Sequence, residues 1–296
     1  MTYECYIEKA ETLIEALPYL QAFKGSVAVV KIGGSLMDDS ASMDRVLTDI
    51  AFLATAGLRT VLVHGGGKAI SRGMEKAGVK PVFLNGLRVT DAAAMKVAEE
   101  ALNGVNDSLV RMLRAKHVAA ASVHGEDIIL AERKRGTDPA TGAAIDWGFV
   151  GTPAAVNPAP VLAVLSAGAV PVVTPLGRDA GGQMYNINAD TAAAALAPAI
   201  RAEKLAFLSD VPGLLRDPAD PESLISALKV GEIADLKKAG IAGGGMLPKL
   251  DSCAAAIHDG VGKVHLVDGR MPHSLLLEIF THKGVGTEII PDEQEK

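Results

Sequence analysis

Residues 27–37, VAVVKIGGSLM, constrain the fold of this chain more than any other segment. The Val- and Ala-rich run predicts a buried strand, and the Gly-Gly pair predicts a tight turn where a ligand can approach the backbone closely. Lys31 lies at the mouth of that turn. Residues 60–64 repeat the pattern and lead into three glycines and a predicted helix over 68–77. Two strands that end in glycines before helices predict an anion site built from backbone N–H groups.

Helix and strand patterns alternate through the rest of the chain. Apolar runs predict further buried strands at 170–174, 205–208 and 264–267. Helices are predicted at 40–54, 92–116, 158–167, 230–239, 246–259 and 272–281. Residues 118–150 alternate around turn residues, which predicts hairpins. The alternation predicts an α/β fold, a three-layer αβα sandwich around a mainly parallel open sheet.

A helix is also predicted ahead of the first strand. Residues 2–23 carry acids between apolar residues at roughly helical spacing, namely Tyr6, Leu13, Leu17 and Leu20. The pattern predicts an amphipathic helix that Pro18 kinks or divides. Such a helix can cap its own domain or pack on a second subunit. The second role is favoured because the first strand begins only at residue 27.

Composition excludes several classes of protein. Of the 296 residues, 49% are hydrophobic and 22% charged, which is typical of a globular protein. The net charge of −6 argues against a nucleic-acid partner or an anionic membrane surface, which need a basic stripe. Cys5 and Cys253 are too few for a disulfide framework or a zinc site, so a reducing cytoplasm is expected. The uncharged segment 151–177 carries five prolines, which favours short elements over a membrane span.

Several catalytic motifs are absent from the sequence. A Walker A loop ending at Gly67-Lys68 needs glycine at 62 and Ser or Thr at 69, where this chain has Leu62 and Ala69. Neither glycine triplet fits G-x-G-x-x-G, and the sequence contains no G-x-S-x-G. The histidines show no H-x-x-x-H or CxxC context, so no metal site built from protein ligands is expected.

Positive charge beside glycine-rich turns is the remaining signal, at Lys31, Lys68, Arg88 and Lys249. Most lysines and arginines are solvated surface groups. Lys31 differs because it ends an apolar strand, where a partly desolvated ammonium needs an anion. Lys249 lies in the first turn of a predicted helix, where the helix dipole disfavours a cation. Both positions therefore point to a functional use.

Eight motifs in order along nearly the whole chain resemble the amino-acid kinase family. They are KIGG (31–34), HGGG (64–67), NGLRVTD (85–91), GFVG (148–151), YNINADTAA (185–193), SDVPGLL (209–215), GGGMLPK (243–249) and GVGTEI (284–289). Within the family, NGLRVTD, YNINAD and GMLPK resemble the members that phosphorylate N-acetyl-L-glutamate in arginine biosynthesis.

The resemblance implies that ATP, with Mg²⁺ carried by the nucleotide, phosphorylates the side-chain carboxylate of N-acetyl-L-glutamate. The products are N-acetyl-L-glutamyl 5-phosphate, an acyl phosphate, and ADP. A carboxylate with a pKa of ~4.3 is ionised at neutral pH, so the reaction needs no general base. Catalysis then consists of in-line positioning and of charge neutralisation by lysines, Mg²⁺ and helix N-termini.

The resemblance also implies roles for individual residues. Lys31 and Lys249 match the two lysines that stabilise the transferring phosphoryl group, and Asp190 matches the carboxylate that orients both. The acetylglutamate site is implied at Gly66, Gly67, Arg88 and Asn186, with Arg88 gripping the α-carboxylate bidentately. The nucleotide site is implied at Gly33, Gly34, Asp210, Val211, Gly213, Leu214 and Gly243.

The resemblance extends to domains and partners. It implies an oligomerisation and regulatory helix at 1–24, an amino-acid-substrate lobe at 25–185 and a nucleotide lobe at 186–296. The leading helix resembles that of arginine-inhibited, ring-forming members. It implies at least a dimer and further a hexamer built as a trimer of dimers, with L-arginine bound as a feedback inhibitor between this helix and residues 265–290.

Alternatives remain open for the residues and for the function. Asp190 can be a helix N-cap, Arg88 a structural ion pair and Asn186 a turn residue. Lys68-Ala69 stands where Pro-Gln is common in the family, and residues 122–127 also depart from its pattern. A kinase for a related carboxylate such as an aminoadipate derivative, another family branch, and a non-catalytic arginine-sensing domain are the rival functions. The combination of Lys31, Asp190 and Lys249 speaks against a sensor, which needs no phosphoryl clamp.

Overall fold

The computed structural model describes residues 3–138, 142–241, 243, 245–281 and 284–292. Its helices are α1 (Glu4–Phe23), α2 (Ser40–Thr55), α3 (Gly67–Lys76), α4 (Ala92–Ala115), α5 (Ala159–Ser166), α6 (Ala189–Ala199), α7 (Ile233–Lys238), α8 (Met246–His258) and α9 (Ser274–Phe280). Its strands are β1 (Val27–Ile32), β2 (Arg59–His64), β3 (Val82–Leu84), β4 (Leu87–Val89), β5 (Ala120–Val123), β6 (Ile129–Thr137), β7 (Ala144–Val156), β8 (Val170–Val173), β9 (Leu176–Arg178), β10 (Met184–Ile187), β11 (Lys204–Ser209), β12 (Ala227–Lys229), β13 (Lys263–Asp268) and β14 (Thr287–Ile290).

Eight strands form the central sheet, in the order β12-β14-β13-β11-β1-β2-β8-β5. Neighbouring strands are parallel except β13 and β14. The predicted mainly parallel sheet is therefore confirmed. The predicted lobes 25–185 and 186–296 contribute the two halves of this one sheet, joined where β1 pairs with β11. Their division into separate lobes stays a prediction.

Alternate residues of the central strands pack on opposite faces of the sheet. Val27 and Val29 join a core with α5, α6 and α8, whereas Ala28 and Val30 join a second core with α2, α4 and α9. Helices thus cover both faces, as the three-layer prediction requires. Because side chains alternate along a strand, Lys31 lies on the same face as Val29, toward α6 and α8.

A smaller sheet, β10-β7-β6-β9, closes on itself, and β3 pairs with β4. The hairpin prediction at 118–150 is confirmed for β6 and β7. It is wrong for β5, which is an edge strand of the central sheet parallel to β8. A short apolar run does not reveal which sheet it joins. β7 continues through Pro153, because a register shift beside this residue accommodates the missing N–H.

Helix α1 contacts the rest of the fold mainly near its C-terminal end. The Tyr19 ring meets the Phe280 ring edge to face, with centroids 6.2 Å apart. The helix is continuous through Pro18, so the predicted division is absent. Its N-terminal part exposes a row of apolar side chains, Tyr6, Ile7, Leu13 and Ile14. In the described parts of the chain, no helix combines the length and apolar character that a bilayer crossing requires.

Candidate active site

Two lysines and one aspartate meet at the carboxyl end of the central sheet. Lys31 comes from β1, Asp190 from the first turn of α6 and Lys249 from the first turn of α8. Lys31 Nζ forms an ion pair with Asp190 Oδ1 at 2.6 Å, and Lys249 Nζ donates to Asp190 Oδ2 at 2.9 Å. Lys31 is 6% exposed and Lys249 is 8% exposed. The structure therefore brings the three predicted catalytic residues into one buried cluster.

Asn188 explains why the Asp190 carboxylate can reach the lysines. Asn188 Oδ1 accepts the N–H groups of Asp190 and Thr191 at 2.8 and 3.1 Å, so Asn188 is the N-cap of α6. The alternative in which Asp190 caps the helix is wrong. Asp190 is the second residue of α6, and its carboxylate points toward Lys31 of β1 rather than at the backbone of its own helix.

Burial and charge together set the ionisation of the cluster. Burial lowers the pKa of Lys31, and the charge of Lys249 lowers it further against the attraction of Asp190. Burial alone raises the pKa of Asp190, but the two lysines outweigh it and hold this pKa below its ordinary value. Lys249 Nζ also lies 5.2 Å from the centroid of the Phe207 ring. The two ammonium groups face the Asp190 carboxylate, and Asp210 exerts a weaker attraction on Lys31.

Both glycine-rich turns lie beside this cluster. A Cβ atom at Gly33 would come within 2.5 Å of Lys31 Nζ, so glycine leaves room for the ammonium. A Cβ atom at Gly66 would come within 2.4 Å of Leu102 Cδ2. Gly66 is the N-cap of α3 without a side-chain cap, and the first N–H groups of a helix have no intrahelical acceptor. This helix start therefore offers N–H groups and a favourable dipole to an anion.

Arg88 is a buried cation without an acidic partner among the described residues. It is 7% exposed, and its Nη2 donates to Gly67 O and to Ser71 Oγ, both at 2.8 Å. Its guanidinium carbon lies 4.7 Å from the centroid of the Phe83 ring. Burial lowers the pKa of Arg88. The alternative of a structural ion pair is thus not found in the described chain. Nη1 also donates to Met74 Sδ at 3.2 Å, so two of the five N–H groups remain for a carboxylate.

Lys31 and Arg88 line the same cleft, which has a volume of about 270 Å³ and includes Gly66, Gly67 and Asn186. Pockets that bind drug-sized ligands measure ~300–1,000 Å³, so this cleft suits a smaller molecule of amino-acid size. A smaller cavity of about 120 Å³ shares Gly66 and Gly67 but contains neither Lys31 nor Arg88. The larger cleft is therefore the candidate substrate site.

The predicted nucleotide residues lie at the neighbouring strand end. Gly33 N–H donates to Leu208 O at 3.1 Å, which brings the first glycine turn next to the segment after β11. Gly213 has φ +134°, and Leu214 N–H donates to Thr287 Oγ1 at 2.8 Å. Leu214 is 2% exposed and belongs to the core. Asp210 and Gly243 are exposed, and Val211 is partly buried.

No group of three or more His, Cys, Asp or Glu side chains among the described residues could hold a metal ion. Asp190 is engaged by both lysines. Both Asp190 oxygens thus face ammonium groups rather than belonging to a cluster of metal-binding side chains in the described part of the chain.

Two features of the site are not apparent from the sequence motifs. His64 is fully buried and contacts Gly65 O and Asn106, a residue 42 positions away. Asp38 pairs with Lys68 and Arg72 at 2.9 and 2.6 Å, so the extra cation at position 68 shares a carboxylate partner with Arg72. The HGGG motif marked the neighbourhood of His64, but spacing alone does not reveal that this strand residue has a partner on α4.

Comparison with known proteins gives matches over nearly the whole chain. A profile described as "Amino acid kinase family" matches residues 26–268. The chain is 44% identical over 285 residues to "Acetylglutamate kinase" of Syntrophomonas wolfei, covering 96% of this chain and 98% of that protein. It is 45% identical over 287 residues to "Acetylglutamate kinase" of Symbiobacterium thermophilum, again covering 96% and 98%.

Among solved structures, the chain resembles N-acetylglutamate synthase from Neisseria gonorrhoeae complexed with coenzyme A and N-acetyl-glutamate. The TM-score is 0.83 at 28% identity, over 96% of this chain and 64% of the synthase chain. The same synthase complexed with coenzyme A and L-arginine gives a TM-score of 0.80 at 27% identity, over 95% and 65%. This chain thus spans about 64% of the synthase's length.

Proposed function

The chain belongs to the amino acid kinase family, and on this premise we propose that it transfers the γ-phosphoryl group of ATP to the side-chain carboxylate of N-acetyl-L-glutamate. The observation that carries the proposal is that Lys31, Asp190 and Lys249 meet beside a cleft that also holds Arg88. Relatives that are 44% and 45% identical over nearly the whole chain are acetylglutamate kinases by name, which supports this function.

The cleft chemistry supports a dicarboxylate with one blocked amine. We assign the α-carboxylate to Arg88, whose buried guanidinium has no acidic partner in the described chain. Asn186 offers amide groups in the same cleft, suited to the polar acetamido group. The second carboxylate then lies toward Lys31 and the N–H groups of Gly66 and Gly67. Its oxygen is already ionised at neutral pH and attacks phosphorus without a base.

Lys31 and Lys249 act on the phosphoryl group during transfer. Negative charge lies on the equatorial oxygens of the transferring group and builds up on the leaving oxygen, and two buried ammonium groups stabilise it more than solvated ones would. Asp190 holds both lysines in place without taking a proton, since its pKa is depressed. Magnesium bound to the nucleotide phosphates supplies further charge neutralisation.

We assign the nucleotide to the end of β11, within the proposed lobe 186–296. Gly33 and Gly34 would approach its phosphates, and Asp210, Val211, Gly213, Leu214 and Gly243 would border its adenosine part. The adjacency of Gly33 to Leu208 supports this arrangement, because it brings the phosphate-side turn beside the nucleotide-side segment. The buried free thiol of Cys253 is in keeping with a cytoplasmic location.

Trapping of the acyl phosphate tests the proposed reaction. Protein, MgATP and N-acetyl-L-glutamate are incubated with hydroxylamine, which converts an acyl phosphate into a hydroxamate. We expect hydroxamate in amounts equal to the ADP released. Hydroxamate from an aminoadipate derivative but not from acetylglutamate would favour the related-carboxylate kinase. Arginine binding without any ADP release would favour the non-catalytic sensor.

We further propose that L-arginine inhibits the enzyme by binding between α1 and residues 265–290. The Glu278 carboxylate in this region is 7% exposed, and it lies 2.8 Å from His265 Nδ1. Tyr19 of α1 packs on Phe280 of the same region, so a ligand bound there would interact with α1 and depend on its position. The likeness to a synthase solved with L-arginine supports this idea.

The exposed apolar row on α1 supports assembly through this helix, at least as a dimer and in the fuller proposal as a hexamer. Tyr6, Ile7, Leu13 and Ile14 are 55–69% exposed, which is costly for a helix that remains alone in water. Deletion of residues 1–24 should abolish arginine inhibition and reduce the mass measured by light scattering, while catalysis is spared. Full arginine inhibition in the shortened protein would contradict the proposal.

A further inference from the structure

We propose that His64 is a positioning residue that fixes the Gly65–Gly66 peptide so that the Gly66 N–H points into the cleft. This role rests on the proposed function, because an aimed N–H matters only if an anion reacts there. The role differs from those of Lys31, Lys249 and Arg88, since the imidazole itself has no place in the cleft lining.

The hydrogen bonds of His64 define a single form of its ring. Nδ1 lies 2.7 Å from Gly65 O, and Nε2 lies 3.2 Å from Asn106 Nδ2. A carbonyl oxygen only accepts and an amide nitrogen only donates. Nδ1 therefore carries the proton and donates to Gly65 O, while the bare Nε2 accepts from Asn106.

Asn106 is itself fixed by further hydrogen bonds, and these also fix the orientation of the His64 ring. It is completely buried on α4, and its second amide hydrogen is donated to Val172 O of β8 at 2.9 Å. Its Oδ1 accepts from Ser122 Oγ of β5 at 2.5 Å. Each polar group in this series of hydrogen bonds has a partner, and in the low-dielectric interior this fixes one arrangement of the side chains. The second glycine turn is thus linked to two strands and a helix of the scaffold.

His64 is fully buried and stays neutral at physiological pH. Burial lowers its pKa to about 4. Both ring nitrogens are occupied by hydrogen bonds within the chain. Proton transfer and metal binding are therefore not available to it at neutral pH, and orientation of the neighbouring peptide is the remaining effect.

The peptide between two glycines needs such a constraint. Without Cβ atoms on either side, it can rotate at little steric cost, and either orientation is accessible. In a trans peptide the C=O and the following N–H point in opposite directions, and no cis peptide bond occurs in the described chain. Because Gly65 O is directed at His64 behind the turn, the Gly66 N–H is directed away from it, toward the cleft that Gly66 lines.

Two isosteric variants separate this role from simple core filling. The amide nitrogen of asparagine lies near the Nδ1 position of histidine, and that of glutamine lies near the Nε2 position. His64→Asn keeps a donor for Gly65 O, whereas His64→Gln does not. Both leave buried polar groups partly unpaired and serve as matched controls for each other's cost in stability.

We expect kcat to fall about 10- to 100-fold in His64→Gln, because a Gly66 N–H that is displaced from the reacting anion no longer aligns with it. We expect His64→Asn to stay within about threefold of the unchanged protein. The Michaelis constant for acetylglutamate should rise in His64→Gln, because the Gly66 N–H is assigned to the second carboxylate, and should change little in His64→Asn. Equal kcat in two variants with equal thermal unfolding would overturn the positioning role.

A nuclear magnetic resonance measurement on the unchanged protein tests the ring independently of activity. The ¹⁵N signals of His64 should show a protonated Nδ1 and a bare Nε2 from pH 5.5 to 8. A protonated Nε2, or titration in this range, would overturn the role.

If the unchanged protein made no hydroxamate, the proposed function would fail. N-acetyl-L-glutamate affinity by calorimetry would then carry the comparison, with weaker binding expected for His64→Gln than for His64→Asn and equal binding overturning the role.

Discussion

Lys31 and Lys204 are buried lysines on paired strands of one sheet, yet their surroundings differ. Lys31 is 6% exposed on β1, and Lys204 is 7% exposed on β11. Burial lowers the pKa of both. Lys31 lies at the carboxyl end of the sheet with Asp190 and Lys249. Lys204 lies at the amino end, where its Nζ is 4.5 Å from the centroid of the Phe23 ring of α1.

The difference teaches that burial and a shifted pKa do not by themselves identify a catalytic lysine. Lys31 adjoins a glycine that leaves space for its ammonium and an open cleft. Lys204 is covered by an aromatic ring, which stabilises a cation without creating space for a ligand. Catalytic potential thus comes from the space and the N–H groups around a desolvated cation.

The largest effect that would test this contrast is on kcat. Lys31→Ala should lower kcat about 10²- to 10³-fold, because it removes one preorganised charge from the transition state. Lys204→Met, the matched change at the other end of the sheet, should keep kcat within about threefold. Hydroxamate formation at saturating MgATP measures both, with circular dichroism to check folding. Similar losses in the two variants would erase the contrast.

The second effect is on stability at the charged cluster. Asp190→Asn should lower the free energy of unfolding by about 3 kcal/mol at pH 7, since it leaves two buried ammonium groups without their carboxylate. The depressed pKa of Asp190 stabilises the fold above the unfolded pKa of ~3.9, and this contribution is lost as pH falls through the folded pKa. Urea unfolding between pH 3 and 7 should therefore show a shallower pH dependence in the variant.

Asp235→Asn provides the control for that measurement. Asp235 pairs with Lys238 at 3.2 Å on the surface, where its side chain is 82% exposed. Solvent screens such a pair, so no measurable change in unfolding is expected. An equal loss of stability in both variants would show that the Asp190 cluster behaves as an ordinary surface ion pair.

The sequence allowed prediction of the parallel sheet, its covering helices and the family motifs. These depend on local patterns such as the apolar run before Gly33. It did not reveal the edge position of β5, because a four-residue apolar strand fits several sheets. It also missed the Asn106 contact of His64, and it left Asp190 open between a helix N-cap and the carboxylate that orients the two lysines. Those outcomes depend on which side chains long-range packing brings together, which spacing does not encode.

A smaller effect on catalysis should follow from filling the space beside Lys31. Gly33→Ala adds a Cβ atom 2.5 Å from Lys31 Nζ, so the ammonium must shift. We expect kcat to fall about tenfold or more, because displacement of a charged group by a fraction of an ångström weakens its alignment. Gly104→Ala in α4 is the control, since no atom lies within 4 Å of its added Cβ.

The smallest expected effect is a change in the alkaline pH dependence of stability. Because the pKa of Lys204 is lower in the folded state, folding becomes more favourable as pH rises between the folded pKa and the unfolded value of ~10.4. Lys204→Met should remove this rise and change stability at pH 7 by at most about 1 kcal/mol, since loss of a desolvated charge offsets loss of the ring contact. Lys31→Met should flatten the alkaline profile in the same way while also lowering kcat about 10²- to 10³-fold, as in Lys31→Ala. A common pH effect with divergent activity would show that the two lysines share their burial but not their role.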